Sequence, residues 1–203
     1  MTNALQALGP RQVALLISLK PKYAHGILTG AKTVELRRRA PHTEPGALVC
    51  LYSTSPERAL VGTARVRAIQ TGTPAEIWNS FADQCMLGRQ TFDDYFQDAD
   101  QAVAIVLDRP LQLSEPLPLH EMRERFGVSP PQSWRYLPSS LYEYVSADTL
   151  LASAQTGFVG VPMGKLLKDV ADLAYFIRNS LFSAVHKAWS VDEPGRRPGS
   201  ERV

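Results

Sequence analysis

The chain has 203 residues, of which 44% are hydrophobic and 21% charged, and its formal net charge is +2. This composition is ordinary for a globular protein. Two cysteines, Cys50 and Cys85, are too few for a disulfide framework and are not spaced like metal ligands. We find no signal-peptide pattern and no uncharged stretch near the roughly 20 residues of a membrane span. We therefore expect a cytoplasmic protein with no membrane partner.

The charge is distributed unevenly along the chain. Residues 1–72 contain ten Lys and Arg against three acidic residues, whereas residues 73–126 contain four against ten. A basic first third favours a polyanionic partner. The alternative is that the acidic segment packs beside the basic one and neutralises it.

The first third of the chain predicts strands around one helix. Residues 1–11 are expected to be flexible. The apolar run 13–19 predicts a buried strand, and Pro21 and Gly30 mark the ends of a helix. Three further strands are predicted over 32–38, 47–54 and 59–69, with a turn at 55–58. Alternation along the last strand places one set of side chains on a single face: Val61, Thr63, Arg65 and Arg67.

The remaining pattern completes an α+β domain over residues 12–150. Helices are predicted at 73–81, 91–96 and 118–127, with a buried strand at 102–107. Regular strand–helix alternation is lacking, which favours a mainly antiparallel sheet or small barrel. Residues 156–190 predict an amphipathic helix, expected to dock on the domain or to form a homodimer. Residues 191–203 are predicted to be a disordered tail.

The stretch LTGAKTVELRRR (28–39) concentrates charge on one predicted strand. Glu35 and Arg37 are two residues apart and therefore share a face, where Arg37 would hold Glu35 ionised to accept hydrogen bonds from a base edge or a hydroxyl. These two residues would lie inside a ligand cleft, with Lys32 at its edge. Lys32 would hold a phosphate there, or act as a general base if burial lowered its pKa. The alternative is a surface ion pair that caps the strand.

The longer segment SLKPKYAHGILTGAKTVELR (18–37) resembles the signature of the ASCH family, which belongs to the PUA-like superfamily. The resemblance covers roughly residues 12–145. The family pattern G-x-K-x-x-E-x-R falls on Gly30, Lys32, Glu35 and Arg37. The resemblance implies a PUA-like, small, mostly antiparallel β-barrel with peripheral helices. It also implies RNA or modified-base binding in a cleft that this motif lines.

Some members of the family that the chain resembles are enzymes. One branch hydrolyses N4-acetylcytidine with a lysine, a threonine and a glutamate, but Glu35 occupies the position of that threonine here. Thr33 would point to the opposite face. The amidohydrolase alternative therefore requires a hydroxyl from elsewhere to converge on the site. The candidates are Ser53, Thr54 and Ser55.

Another branch is a metal-dependent ribonuclease. That alternative would use Lys32, Arg37 and Lys20 to stabilise a phosphate, with Glu35 as general base, so Lys32 and Glu35 are the candidate catalytic residues. No acidic cluster has metal-site spacing. We predict no cofactor, except a divalent metal if the protein is a ribonuclease.

Aromatic residues provide candidate stacking surfaces for a base. Trp134 follows a Pro-Pro turn and is expected to be an exposed platform, whereas the helical spacing of Tyr23 also fits the core. His25, a lone histidine in the first predicted helix, is expected to be a surface or packing residue rather than a residue that faces the cleft. The predicted ligand-binding set is Lys20, Tyr23, Gly30, Lys32, Glu35, Arg37, Arg39, Tyr52, Ser53 and Trp134. The first hypothesis is a nucleic-acid-binding module with RNA rather than DNA as partner. The others are a hydrolase on the same cleft and an interaction domain that uses its C-terminal helix.

Overall fold

The computed structural model describes residues 14–155, with side chains up to residue 149. The predicted flexible N-terminus (1–11), the helix at 156–190 and the tail at 191–203 lie outside the described residues. The elements in chain order are β1 (Leu15–Leu19), α1 (Pro21–Leu28), β2 (Val34–Arg37), β3 (Leu48–Ser53), β4 (Ala59–Gly72), α2 (Pro74–Phe81), a 3-10 turn (Ala82–Gln84), α3 (Arg89–Phe96), β5 (Ala102–Pro118), α4 (Leu119–Phe126), β6 (Trp134–Tyr136) and α5 (Ser139–Gln155).

The six strands form one curled sheet in the order β2-β5-β4-β3-β1-β6. β1 runs parallel to β3, and the other four neighbouring pairs are antiparallel. The prediction of an α+β domain with a mainly antiparallel sheet is therefore confirmed. In the described part of the chain, no helix is long and apolar enough to cross a membrane.

Alternation along the strands separates an inner core from two outer ones. The inner face of the sheet packs against α1, as the contact of Ile17 with Ala24 and Ile27 illustrates. On the other face, α4 and α5 cover one cluster around Met122. A separate cluster around Phe92 lies beneath α2 and α3 and receives two side chains of β2. β1 and β3 thus send successive residues to different cores, as period-two geometry requires.

Helix α1 positions the segment that carries the charged motif. Pro21 occupies the first helical position, where a missing N–H costs nothing. Gly30, with φ +79°, lies in the left-handed region that allows the chain to leave the helix. The predicted bounds of this helix are confirmed. The backbone N–H of Lys32 then donates to the carbonyl of Gly26 (2.8 Å), which fixes the start of β2 against α1.

Strands β4 and β5 are longer than predicted, and their pairing is irregular. Val66 pairs with Leu107 and Ala68 with Val106, so Arg67 is an extra residue in β4 that has no partner in β5. Such an insertion is a β-bulge, which breaks the alternation of side chains. The prediction of four like-facing residues along β4 is therefore wrong. Val61, for example, packs in the inner core with Ala64.

Two elements were not predicted, β6 and α5. Both lie in a segment whose short or irregular apolar pattern gives no clear periodicity. Asp148 of α5 is buried and accepts hydrogen bonds from the backbone N–H (3.1 Å) and the hydroxyl of Ser114 in β5. Tertiary contacts of this kind specify the helix where local sequence does not.

Candidate functional site

A cleft of about 230 Å³ opens beside β2, and we call it the motif cleft. Five of the predicted ligand-binding residues line it: Lys20, Tyr23, Lys32, Glu35 and Arg37. They come from three consecutive parts of the chain, namely the end of β1, helix α1 and the start and body of β2. The structure places these five side chains together in one cleft.

Glu35 and Arg37 form a buried ion pair inside this cleft. The pleat of β2 directs Val34 and Leu36 to the outer core around Phe92 and the two charged residues to the other face. Only 5% of Glu35 and 8% of Arg37 is exposed. Arg37 Nη1 donates to Glu35 Oε1, and Arg37 Nη2 donates to the backbone carbonyl of Ser18 (3.1 Å). The alternative of a surface ion pair is therefore wrong.

Lys32 is fully enclosed, which corrects its predicted position at the cleft's edge. Only 2% of the residue is exposed. Its Nζ donates to the carbonyls of Val34 and Cys85, each at 2.7 Å, and lies 3.1 Å from Glu35 Oε2. An ammonium has three N–H donors, and these three acceptors occupy all of them. In this conformation Lys32 holds Glu35 in place and has no donor left for a phosphate.

The buried pair still has unused hydrogen-bonding capacity. Each oxygen of Glu35 pairs with one cation, and a carboxylate accepts about four hydrogen bonds. Arg37 Nε is buried and has no hydrogen-bond partner among the described residues. A buried donor without an acceptor costs roughly 1–3 kcal/mol, which a ligand acceptor would recover. The cleft thus offers an acceptor and a donor side by side at low solvent exposure.

Two tyrosines form the aromatic walls of the motif cleft. Lys22 Nζ and Lys32 Nζ lie 4.6 and 5.3 Å from the ring centroid of Tyr23. Tyr95 of α3 also lines the cleft and is 38% exposed. Arg38 holds Tyr95 through a hydrogen bond to its carbonyl (2.8 Å), and the guanidinium lies 5.6 Å from the ring centroid. No local sequence pattern identifies Tyr95 as a site residue, because nothing local indicates that α3 lies next to β2.

Three predicted residues do not line the motif cleft: Gly30, Tyr52 and Ser53. Tyr52 is 3% exposed and packs in the outer core with Met122, since alternation in β3 directs it to that face. Ser53 is fully buried at the end of β3, opposite Leu19 of β1. Gly30 lines a different cleft. The prediction that these three contact a ligand beside Glu35 is not supported by their placement.

Arg39 and Trp134 contact each other rather than the motif cleft. The indole N–H of Trp134 donates to the backbone carbonyl of Arg39 (3.2 Å). Trp134 is half-buried against the inner core and lies edge-on to Tyr136, so it is not the free platform that was predicted. His25 is exposed and pairs with Glu57 at 2.8 Å, as expected for a surface residue.

The hydroxyls proposed to replace the missing threonine do not converge on the motif cleft. Ser53, Thr54 and Ser55 lie outside its lining. Thr33 donates to the side chain of Gln84 (3.3 Å) and faces the other cleft. None of the hydroxyls named for the amidohydrolase alternative therefore lies in the motif cleft.

The side chains of the motif cleft do not fit a divalent metal. Residues 14–155 contain no group of three or more His, Cys, Asp or Glu side chains placed to hold an ion. Glu35 is the one acidic residue in the described lining of the cleft, and cations already pair with both of its oxygens. Hard metals prefer several oxygen ligands, and this donor set does not supply them.

A curled, mostly antiparallel half-barrel with a charged cleft beside it defines a PUA-like domain. Residues 13–122 match the family model described as a domain of unknown function (DUF365). An ASCH domain-containing ribonuclease of Zymomonas mobilis is 35% identical over 129 residues, which is 63% of this chain and 86% of the relative. The chain belongs to the ASCH family.

Solved structures agree with this assignment. The crystal structure of ASCH from Zymomonas mobilis is 31% identical in sequence and superimposes with a TM-score of 0.61, over 64% of this chain and 91% of that one. The crystal structure of a point mutant of the same protein gives a TM-score of 0.60, over 64% and 92% of the two chains. The PUA-like fold predicted from the motif is therefore confirmed.

Proposed function

We propose that this domain binds single-stranded RNA and takes one unstacked nucleobase into the motif cleft. The observation that carries the proposal is the buried Glu35–Arg37 pair, which retains free acceptor positions on Glu35 and an unpartnered N–H on Arg37. The edges of nucleobases present N–H donors and acceptors side by side, and proteins recognise unpaired RNA through those edges. Lys32 fixes the orientation of the carboxylate that would make these contacts.

The walls and size of the motif cleft suit a single planar group. Tyr95 offers a partly exposed ring at the cleft, and base stacking on such rings is typical of single-strand binders. A volume of about 230 Å³ lies below the 300–1,000 Å³ range of pockets for larger ligands. Lys20 and Lys22 are exposed beside it and would contact backbone phosphates.

RNA cleavage on the same cleft is the second candidate. It is favoured by the name of the Zymomonas mobilis relative, an ASCH domain-containing ribonuclease. In this reaction Glu35 would take the proton of a ribose 2′-hydroxyl, whose oxygen would bond to the adjacent phosphorus and expel the 5′-oxygen, which would take a proton from water. Arg37 and Lys20 would stabilise charge on the phosphate. Both oxygens of Glu35 already pair with cations of the protein, and these contacts hold the carboxylate in place, which is why binding is proposed first.

The test compares Tyr95→Ala with Tyr95→Phe by fluorescence anisotropy, with a fluorescein-labelled pool of random RNA octamers as probe. Loss of one base–aromatic stack is worth roughly 1–3 kcal/mol, so Tyr95→Ala should raise Kd by about five- to 150-fold. Tyr95→Phe keeps the ring and should bind like wild type. Thermal melts of both variants check that the fold is intact.

The same samples, run on a denaturing gel with and without Mn²⁺, separate the two candidates. Intact RNA with tight binding supports the binding module. Cleavage that Glu35→Gln abolishes supports the ribonuclease. Cleavage that occurs only with Mn²⁺ would show that this activity requires a divalent metal. Wild-type protein that neither binds nor cuts the octamers would refute both candidates.

A further inference from the structure

A second cleft, of about 340 Å³, adjoins the motif cleft and has no role in the function proposed above. The two clefts share one residue, Lys32, as a common wall. The segment after α2 borders both, because Gln84 lines the second cleft and Leu87 the motif cleft. The two clefts are therefore neighbours on the domain, with Lys32 between them.

A β-bulge turns Arg67 into this second cleft. In a regular strand Arg67 would share the face of Arg65, whose guanidinium donates to the carbonyl of Gly46 (3.1 Å). Because Arg67 is the extra residue between Val66 and Ala68, it lines the second cleft together with residues of the inner face. Bulges occur preferentially next to active sites and rims, where they redirect a side chain.

The facing strand β5 is irregular at the same place. Thr63 pairs with Leu111 and Arg65 with Asp108, so β5 carries one residue more than β4 across this interval. Arg109, in that interval, has φ +47°, a left-handed conformation that is uncommon for a residue other than glycine. Backbone strain of this kind persists where the surrounding structure enforces it, often at ligand sites. Both walls of the cleft are thus shaped by departures from regular sheet geometry.

The side chains of the second cleft match a nucleotide. Arg67 is exposed, and within residues 14–155 no ion pair involves it. An exposed guanidinium that forms no ion pair is suited to bind a phosphate. Apolar side chains such as Ile27 and Val106 form another part of the lining. Asp108 also lines the cleft, and a carboxylate there suits a ribose 2′-hydroxyl.

We propose that the second cleft binds the nucleotide next to the one in the motif cleft, with Arg67 on the phosphate that joins them. This inference rests on the proposed RNA binding. It makes the recognised unit at least a dinucleotide, rather than a single base.

The test pairs Arg67→Ala with Arg65→Ala in the octamer RNA binding assay. Both variants lose one positive charge from the same strand, two residues apart, so a general electrostatic effect would be equal. We expect Arg67→Ala to raise Kd about tenfold and to lower the slope of log K against log salt by about 0.7, the value for one phosphate contact on a single strand. Arg65→Ala should stay within about twofold of wild type, and Arg67→Lys should keep the wild-type slope.

Each outcome bears on a different claim. If Arg65→Ala and Arg67→Ala raise Kd equally while Tyr95→Ala still weakens binding, the proposed role of the second cleft is refuted. The proposed function of the motif cleft would remain. Failure of wild type to bind RNA would overturn the proposed function and this inference together. Melting curves exclude misfolding as the cause of a selective Arg67→Ala defect.

Discussion

The buried Lys32 ammonium is expected to stabilise the motif cleft, and the substitution Lys32→Met tests this role. Methionine keeps an unbranched apolar stem of similar length and removes only the charge and the three donors. In the folded domain those donors satisfy Glu35 Oε2 and the carbonyls of Val34 and Cys85. The substitution therefore leaves the packing of the stem largely intact and removes the hydrogen bond between Lys32 and the Cys85 carbonyl, one of the contacts that join the start of β2 to the segment after α2.

The expected cost follows from these contacts. Removing one partner of a buried ion pair typically costs about 3–5 kcal/mol, because the other charge stays buried. Glu35 retains Arg37, which favours the lower end of that range. The two carbonyls lose their donor as well, but effects within one network are not additive. We expect a loss of about 3–4 kcal/mol in the free energy of unfolding, or roughly 12–16 °C in Tm at about 4 °C per kcal/mol.

Urea denaturation measures this, and Lys22→Met is the matched control. Lys22 is exposed and places its ammonium 4.6 Å from the ring centroid of Tyr23, the same ring that Lys32 approaches. Loss of that contact should cost less than about 1 kcal/mol. Similar unfolding midpoints for Lys32→Met and Lys22→Met would refute the argument that the buried ammonium holds the site together.

Two further predictions concern the sheet. Gly62→Ala should cost roughly 1–3 kcal/mol in urea denaturation, because a Cβ there would lie 2.6 Å from the Leu111 carbonyl oxygen. Gly26→Ala should cost less than about 1 kcal/mol, because its tightest contact would be with the Sδ of exposed Met86, at 2.5 Å, whose flexible side chain can move, and the Cβ of Lys32 would lie at 3.3 Å. Equal costs would contradict this. Burial raises the pKa of Cys50 from 9.0 to about 12, so both states keep the proton below pH 9 and only the unfolded state ionises above it. Stability should fall by about 1.4 kcal/mol per pH unit between pH 9 and 12, and Cys50→Ala should remove that component of the slope.

The part of the site that is local in sequence was predictable. Glu35 and Arg37 share a face because of the strand pleat alone, and Lys20 and Tyr23 are brought to them by one short helix. The G-x-K-x-x-E-x-R pattern places all of this within a few residues, so the family and the motif cleft followed from it. Short-range geometry of this kind needs no knowledge of the rest of the fold.

What the sequence could not show depends on distant contacts. Lys32 is enclosed because a segment 53 residues away supplies the Cys85 carbonyl, and no local pattern indicates that. Tyr95 reaches the cleft only because α3 lies beside β2. Arg67 changes face because its strand pairs irregularly with β5, whereas alternation in the sequence places it with Arg65. In each case tertiary pairing overrides the local pattern.

The position of Lys32 decides how mutations at the motif should be interpreted. Loss of RNA binding by a Lys32 variant would not identify a ligand contact, because the ammonium is buried and its donors are engaged within the protein. Such a variant would release Glu35 and alter the common wall of both clefts at once. Phosphate contacts have to be assigned with exposed cations instead. Lys20→Ala and Arg67→Ala should each lower the salt dependence of binding, whereas Lys32→Met should reduce stability and affinity together.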